Sequence, residues 1–128
     1  MTIYFIFKII ALFPLWFLQK IAIVVAFALY TLNSSIKRIT TINIQLAYPE
    51  LNQEAQQKLI KKSVQSQCLT YIEFIKCWGM PPEYSLSLLK NIHGESILKD
   101  ALANKKGVIV VVPHFGCWEL LNAWLNLY

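Results

Sequence analysis

Five β-branched residues in succession, Val108, Ile109, Val110, Val111 and Val112, constrain the folding of this chain more than any other feature. A strand with one wet face alternates apolar and polar side chains. This run does not alternate, so burial on both faces is expected, as in a central parallel strand covered by helices. Pro113 cannot donate to a ladder and closes the run. Helical spacing resumes at Trp118, Leu121, Ala123, Trp124 and Leu125. A doubly buried strand needs neighbours on both sides, and parallel neighbours need crossovers of about a dozen residues each. Only Asn91-Ile92-His93-Gly94 offers itself as another short strand. The expected fold class is therefore α/β: the first part of a mixed α/β domain, truncated, in a chain that is the front piece of a longer protein. Alone, it is expected to be inactive.

Residues 1–35 impose a second constraint. They hold two charged side chains, Lys8 and Lys20. The whole chain is 15% charged and 56% hydrophobic, with a mean hydropathy of +0.46, against about 25% charged in soluble domains. A signal peptide would end at a small-residue cleavage site, but apolar residues continue past Pro14 and Lys20 to Tyr30, and no such site precedes Asn33. A retained membrane anchor over residues 1–35 is expected, with residues 36–128 forming the body. Residues 9–32 supply the roughly 20 residues of a transmembrane helix. Gln19 and Lys20 in their middle, and the kink expected at Pro14, make a tilted or membrane-embedded helix an equal alternative. Lys37, Arg38, Lys58, Lys61 and Lys62 follow the segment and only Lys8 precedes it, which places the body in the cytoplasm.

Three cysteines, Cys68, Cys77 and Cys117, form no paired framework and are expected to be buried free thiols. A zinc site from them and His93 would lack any CxxC pair, so no metal is assigned.

Asn52 suits an N-cap, with Glu54 in the first turn. Apolar residues then recur at Ala55, Leu59, Val64, Cys68, Ile72, Ile75 and Trp78, which predicts an amphipathic helix over residues 53–78 stopped by Gly79 and Pro81-Pro82. Its polar face carries Lys58, Lys61, Lys62, Gln65 and Gln67, read as solvated, with a membrane-surface contact as the sharper alternative. Residues 96–104 read as a further helix. Residues 38–47 and 83–90 are too mixed to assign.

The chemistry is concentrated after the β-branched run, in His114-Phe115-Gly116-Cys117-Trp118-Glu119. A His at the C-terminal end of a buried strand points into the crevice where open α/β sheets bind ligands. Glu119, five residues on, is placed to fold back across a turn containing Gly116. A carboxylate on one ring nitrogen fixes the tautomer and supports the charge formed when the other accepts a proton. That pair could deprotonate a hydroxyl for attack on a thioester. The bland reading is a helix-capping Glu beside a structural His, since the spacing alone is weakly specific. His93 has no comparable setting and is read as structural.

Residues 107–120 resemble the lipid A biosynthesis acyltransferases, the late lauroyl and myristoyl transferases of Gram-negative bacteria, whose pattern is a hydrophobic strand followed by Pro-His-x-Gly-Asn-Trp-Glu. Arg38, Asn43-Ile44 and Ala47-Tyr48-Pro49-Glu50 are similar to an upstream family stretch, and His93-Gly94-Glu95 to its Gly-x-Glu step. Cys117 departs from the common Asn, and the family runs well beyond this motif. The resemblance implies transfer of a fatty acyl group from acyl carrier protein to a hydroxyl of a lipid A precursor. The reaction belongs to lipopolysaccharide biosynthesis, at the cytoplasmic face of the bacterial inner membrane. His114 would be general base and Glu119 its orienting partner. No cofactor and no nucleic-acid partner are implied. The net charge of +5 suits an anionic glycolipid and an acidic carrier. Two rivals stand beside this reading: an acyltransferase for another glycolipid or glycerolipid acceptor, and a small non-catalytic basic membrane protein.

Overall fold

The structure, a computed structural model, describes residues 2–114 and 116–128. Met1 of the expected anchor and Phe115 of the His114–Glu119 segment lie outside the described residues. Seven α-helices follow one another among those described: α1 (Thr2–Ala11), α2 (Leu15–Thr31), α3 (Ser35–Ala47), α4 (Gln53–Gly79), α5 (Pro82–Leu88), α6 (Glu95–Ala103) and α7 (Glu119–Leu125).

Local chemistry sets most of these boundaries. Pro14, with φ −58° and ψ 140°, stands as N-cap of α2 and separates it from α1. The Ser34 side chain accepts a bond from the Lys37 N–H and starts α3. Asn52 Oδ1 accepts from the Ala55 N–H at 2.9 Å and starts α4, as its sequence position predicts. Glu54 lies in the first turn of α4. The 27 residues of α4 end at Gly79, before Pro81 and Pro82 begin α5. Of the two unassigned stretches, residues 38–47 are helical in α3 and residues 83–88 in α5.

Helix α4 is the axis of the molecule, with α1, α2 and α3 packed along it. Ala22 and Ala26 of α2 meet Val64 and Cys68 of α4 in the core, flanked by Leu29, Ile36, Leu69 and Ile72. The two alanines let the backbones approach closely. Gly79 does the same for α1, since a Cβ there would stand 2.4 Å from Ala11 Cβ and 2.7 Å from the Phe7 carbonyl oxygen. Lys76, only 6% exposed, closes this corner. Its ammonium donates to the carbonyls of Ala11 and, at 2.8 Å, Phe13. It thereby satisfies acceptors orphaned at the end of α1.

Two expectations are corrected here. The α/β class is overturned: no strand occurs among the described residues. Residues 108–112 run without a ladder, with Ile109 93% and Val111 87% exposed. A strand is made by its partner, and the other expected strand, residues 91–94, instead leads into α6, with Gly94 as its N-cap at φ +80°. The continuous transmembrane helix is likewise overturned. Among the described residues no single helix is long and apolar enough to cross a membrane; α1 and α2 reach that length and composition together, and they meet at 114°.

Candidate active site

His114 lies beyond the extended run and is exposed. Its ring packs against Trp118, centroids 4.5 Å apart. Trp118 meets Phe74 of α4 edge-on at 4.6 Å. Phe74 stacks on Trp78 at 5.8 Å, and Trp78 lies 6.0 Å from Phe7 of α1. An aromatic ladder thus runs from the N-terminal helix to the motif and ties Trp118 and His114 to α4. Gly116, at φ +64°, makes the turn that an L side chain would strain.

Glu119 opens α7 and faces another cleft, of about 290 Å³, with Trp78, Asn122 and Tyr4. One carboxylate oxygen accepts from Trp78 Nε1 at 2.8 Å and from Asn122 Nδ2 at 3.0 Å. No hydrogen bond or ion pair joins it to His114 among the described residues. The structure brings both residues to the same aromatic ladder but not to each other. His114 borders a different groove, of about 580 Å³, between α4 and the motif.

Cys117 lies between them in sequence and turns inward, its Sγ 3.9 Å from that of Cys77. Burial, with the Cys77 thiol beside it, pushes its pKa up to about 12. The thiol is therefore neutral near pH 7 and is no candidate for an acyl-accepting thiolate. Cys68 lies apart in the α2–α4 core. Among the described residues no three His, Cys, Asp or Glu side chains converge as a metal would require. Beneath Cys117 is an apolar cavity of about 200 Å³, bordered by Leu15, Cys77, Leu88 and Leu120. Glu73 also borders it. Burial raises its pKa, and a hydrogen bond involving the Gln19 side chain opposes that shift.

Sequence reasoning missed Lys76, Glu73, Trp78 as a donor, and Asn122. Lys76 and Glu73 interrupt the apolar half of α4, and that was their available signal. Asn122 stands three residues after Glu119, a spacing that brings side chains together on a helix.

An exposed imidazole at the edge of a groove can take a proton from a hydroxyl seated there, while the Glu119 carboxylate is held on a separate cleft by Trp78 and Asn122. The model of the bacterial lipid A biosynthesis acyltransferase family matches residues 2–128. The chain belongs to that family, and its activity class is acyl transfer in lipid A biosynthesis. No curated protein and no solved structure matches the chain.

Proposed function

We propose that the protein moves a fatty acyl group from acyl carrier protein to a hydroxyl of a lipid A precursor, with His114 as general base. Family membership over residues 2–128 carries this reading; the opening of His114 onto the 580 Å³ groove supports its role. The imidazole takes the acceptor's hydroxyl proton as that oxygen attacks the thioester carbonyl. Collapse of the tetrahedral intermediate breaks the C–S bond, and the departing sulfur takes the proton back from the imidazolium. Glu119 is the orienting anion. For that role its carboxylate must exchange the Trp78 N–H for the imidazole.

The anchor is a bent, membrane-embedded pair rather than a span. Phe5, Leu12, Phe13, Trp16, Val24 and Phe27 are exposed along α1 and α2 and the bend between them. Lys8 and Lys20 lie over the rings of Tyr4 and Trp16, at 5.1 and 5.2 Å. Aromatic rings with lysines beside them suit the headgroup level of a bilayer. The catalytic body then works at the cytoplasmic face of the inner membrane. The bare apolar surface of residues 108–112 supports the further reading that these 128 residues turn over no substrate until that surface is covered.

Acyl transfer from acyl carrier protein to lipid A precursor by the gene product carrying this sequence is the test. His114→Ala is expected to lower kcat by roughly 10²–10⁴-fold, the usual worth of a general base. Glu119→Gln, which keeps the shape and loses the charge, is expected to lower it less. Near-normal turnover by His114→Ala would refute the mechanism.

A further inference from the structure

Two of the three thiols meet across the fold, and the chemistry above makes no use of them. Cys77 lies near the C-terminal end of α4 and Cys117 in the turn before α7. They are 40 residues apart in the chain, with their sulfurs 3.9 Å apart. Both are half-buried, whereas Cys68 is buried in the α2–α4 core away from them. A disulfide holds its sulfurs about 2 Å apart, so these must close by roughly 2 Å. Rotation about the side-chain χ1 bonds moves a sulfur on that scale.

A small oxidant can reach the pair. Both cysteines border the apolar cavity of about 200 Å³, and Cys77 also borders the cleft that holds Glu119. A water takes up about 30 Å³, and hydrogen peroxide is little larger. Glu73, Lys76 and Tyr84 are the titratable neighbours around the cavity. Burial, and then the Cys77 thiol beside it, keep Cys117 protonated near pH 7. Thiolate is therefore scarce and oxidation slow, which suits a sensor of sustained oxidant. Disulfides in cytosolic proteins, where they occur, are mostly transient and catalytic or redox-sensing. The position of the pair matters to the site. Cys77 directly precedes Trp78, whose indole N–H holds Glu119, and Cys117 precedes Glu119 by two residues. A bond between the sulfurs ties the chain on both sides of that contact and keeps the carboxylate at Trp78.

We propose that Cys77 and Cys117 form a reversible disulfide that clamps the turn before α7 to α4, with Glu119 held at Trp78. Two thiols and one hydrogen peroxide give one disulfide and two waters. The first sulfur takes an oxygen as the O–O bond breaks, becoming a sulfenic acid, and a water leaves. The second sulfur then attacks the first, and its proton departs with the hydroxyl as the second water. The sulfurs lose two electrons and the peroxide oxygens gain them. One consequence rests on the acyl-transfer reading above: the clamp keeps Glu119 from His114 and switches turnover off.

The test treats the protein in phosphatidylcholine nanodiscs with hydrogen peroxide, at a dose that fully oxidises free cysteine. Remaining thiols are alkylated after acid quenching and unfolding, and are mapped by mass spectrometry. A Cys77–Cys117 link within one chain is expected, with Cys68 alkylated, and dithiothreitol is expected to restore all three thiols. Cys77→Ser is expected to form no internal bond. Exchange of the Trp78 indole N–H, followed by NMR, is expected to slow about tenfold in the oxidised protein. Free thiols at both positions, sulfinic acid in place of the bond, a link through Cys68, or unchanged Trp78 exchange would overturn the clamp. Acyl transfer by the gene product carrying this sequence is expected to fall about tenfold or more on oxidation, as when a base loses its orienting anion. Dithiothreitol is expected to restore it, and Cys77→Ser to make it insensitive to peroxide. Full turnover in the bonded form would overturn the switch. Absence of turnover in the reduced protein would instead count against the acyl-transfer reading, and the mapping and Trp78 exchange still decide the clamp.

Discussion

Glu73 of α4 and Glu119 of α7 are two carboxylates with different environments. Glu119 takes two N–H bonds on one oxygen, whereas Glu73 borders an apolar cavity and its pKa is raised by burial. The sign of the consequence follows from linkage. A carboxyl whose folded pKa lies above its unfolded value contributes stability below the unfolded value. That contribution is lost as pH rises through the folded pKa. At pH 7 the placing of the Glu73 carboxyl against this cavity is therefore a net cost. Glu73→Gln is expected to raise the melting temperature at pH 7, with the difference from the parent closing as pH falls through the ordinary carboxylate range. Paired thermal melts from pH 4 to pH 8 check this, and an advantage that grows on acidification would contradict the assignment.

At the scale of elements, the contact of α1 with α4 depends on one missing methyl group. Ala at Gly79 has two opposed effects. Its better helix propensity favours it by about 1 kcal/mol in an ordinary helix interior. Against that, its Cβ would meet the Phe7 carbonyl oxygen at 2.7 Å, and this is backbone that cannot swing aside. Overpacking of this kind costs typically about 1–3 kcal/mol, and separation of α1 would also release the carbonyls that Lys76 caps. The clash wins. Gly79→Ala is expected to destabilise the protein by about 2 kcal/mol, measured by denaturant unfolding. Stabilisation instead would mean that α1 does not pack where the structure has it.

For the whole molecule, the decisive feature is how much apolar surface α1 and α2 leave outside. The first helix pair, bent by 114°, keeps large side chains outward on both arms. On the membrane-embedded reading proposed above, such a surface would bind a bilayer interface through apolar burial, which salt does not screen, in contrast to attraction by lysines alone. The protein is expected to float with phosphatidylcholine vesicles and to stay bound in about 1 M salt, where the Debye length falls to roughly 3 Å. Release in the high-salt wash would assign the attachment to the basic face of α4.

How much of this was legible in the sequence depends on the range of the interactions involved. The extent of α4, its Asn52 cap, its stop before Pro81, the helix read over residues 96–104 and found one residue earlier, and the break at Pro14 are set by residues within a turn or two. Those signals survive without knowledge of the rest of the fold. The His114 and Glu119 candidates were legible as a pattern, but their separation onto different clefts was not. It depends on Trp78 and Asn122 offering N–H donors to the carboxylate, and Trp78 is 41 residues away. The β-branched run led sequence reasoning furthest astray. Side-chain branching makes a segment fit for a strand, but a strand exists only when another backbone bonds to it, and none among the described residues does. Lys76 is the converse case: a charge in the apolar half of a helix looks misplaced until the carbonyls of Ala11 and Phe13 arrive beside it. The sequence by itself determined where α4 starts and stops, the helix near residue 100 and which residues could carry the chemistry, because capping, proline geometry and periodicity act locally; α3 and α5 were not legible. Only the tertiary structure decided the bend of the N-terminal pair, the partner of Glu119 and the groove before His114, because each is made by groups brought together from distant parts of the chain.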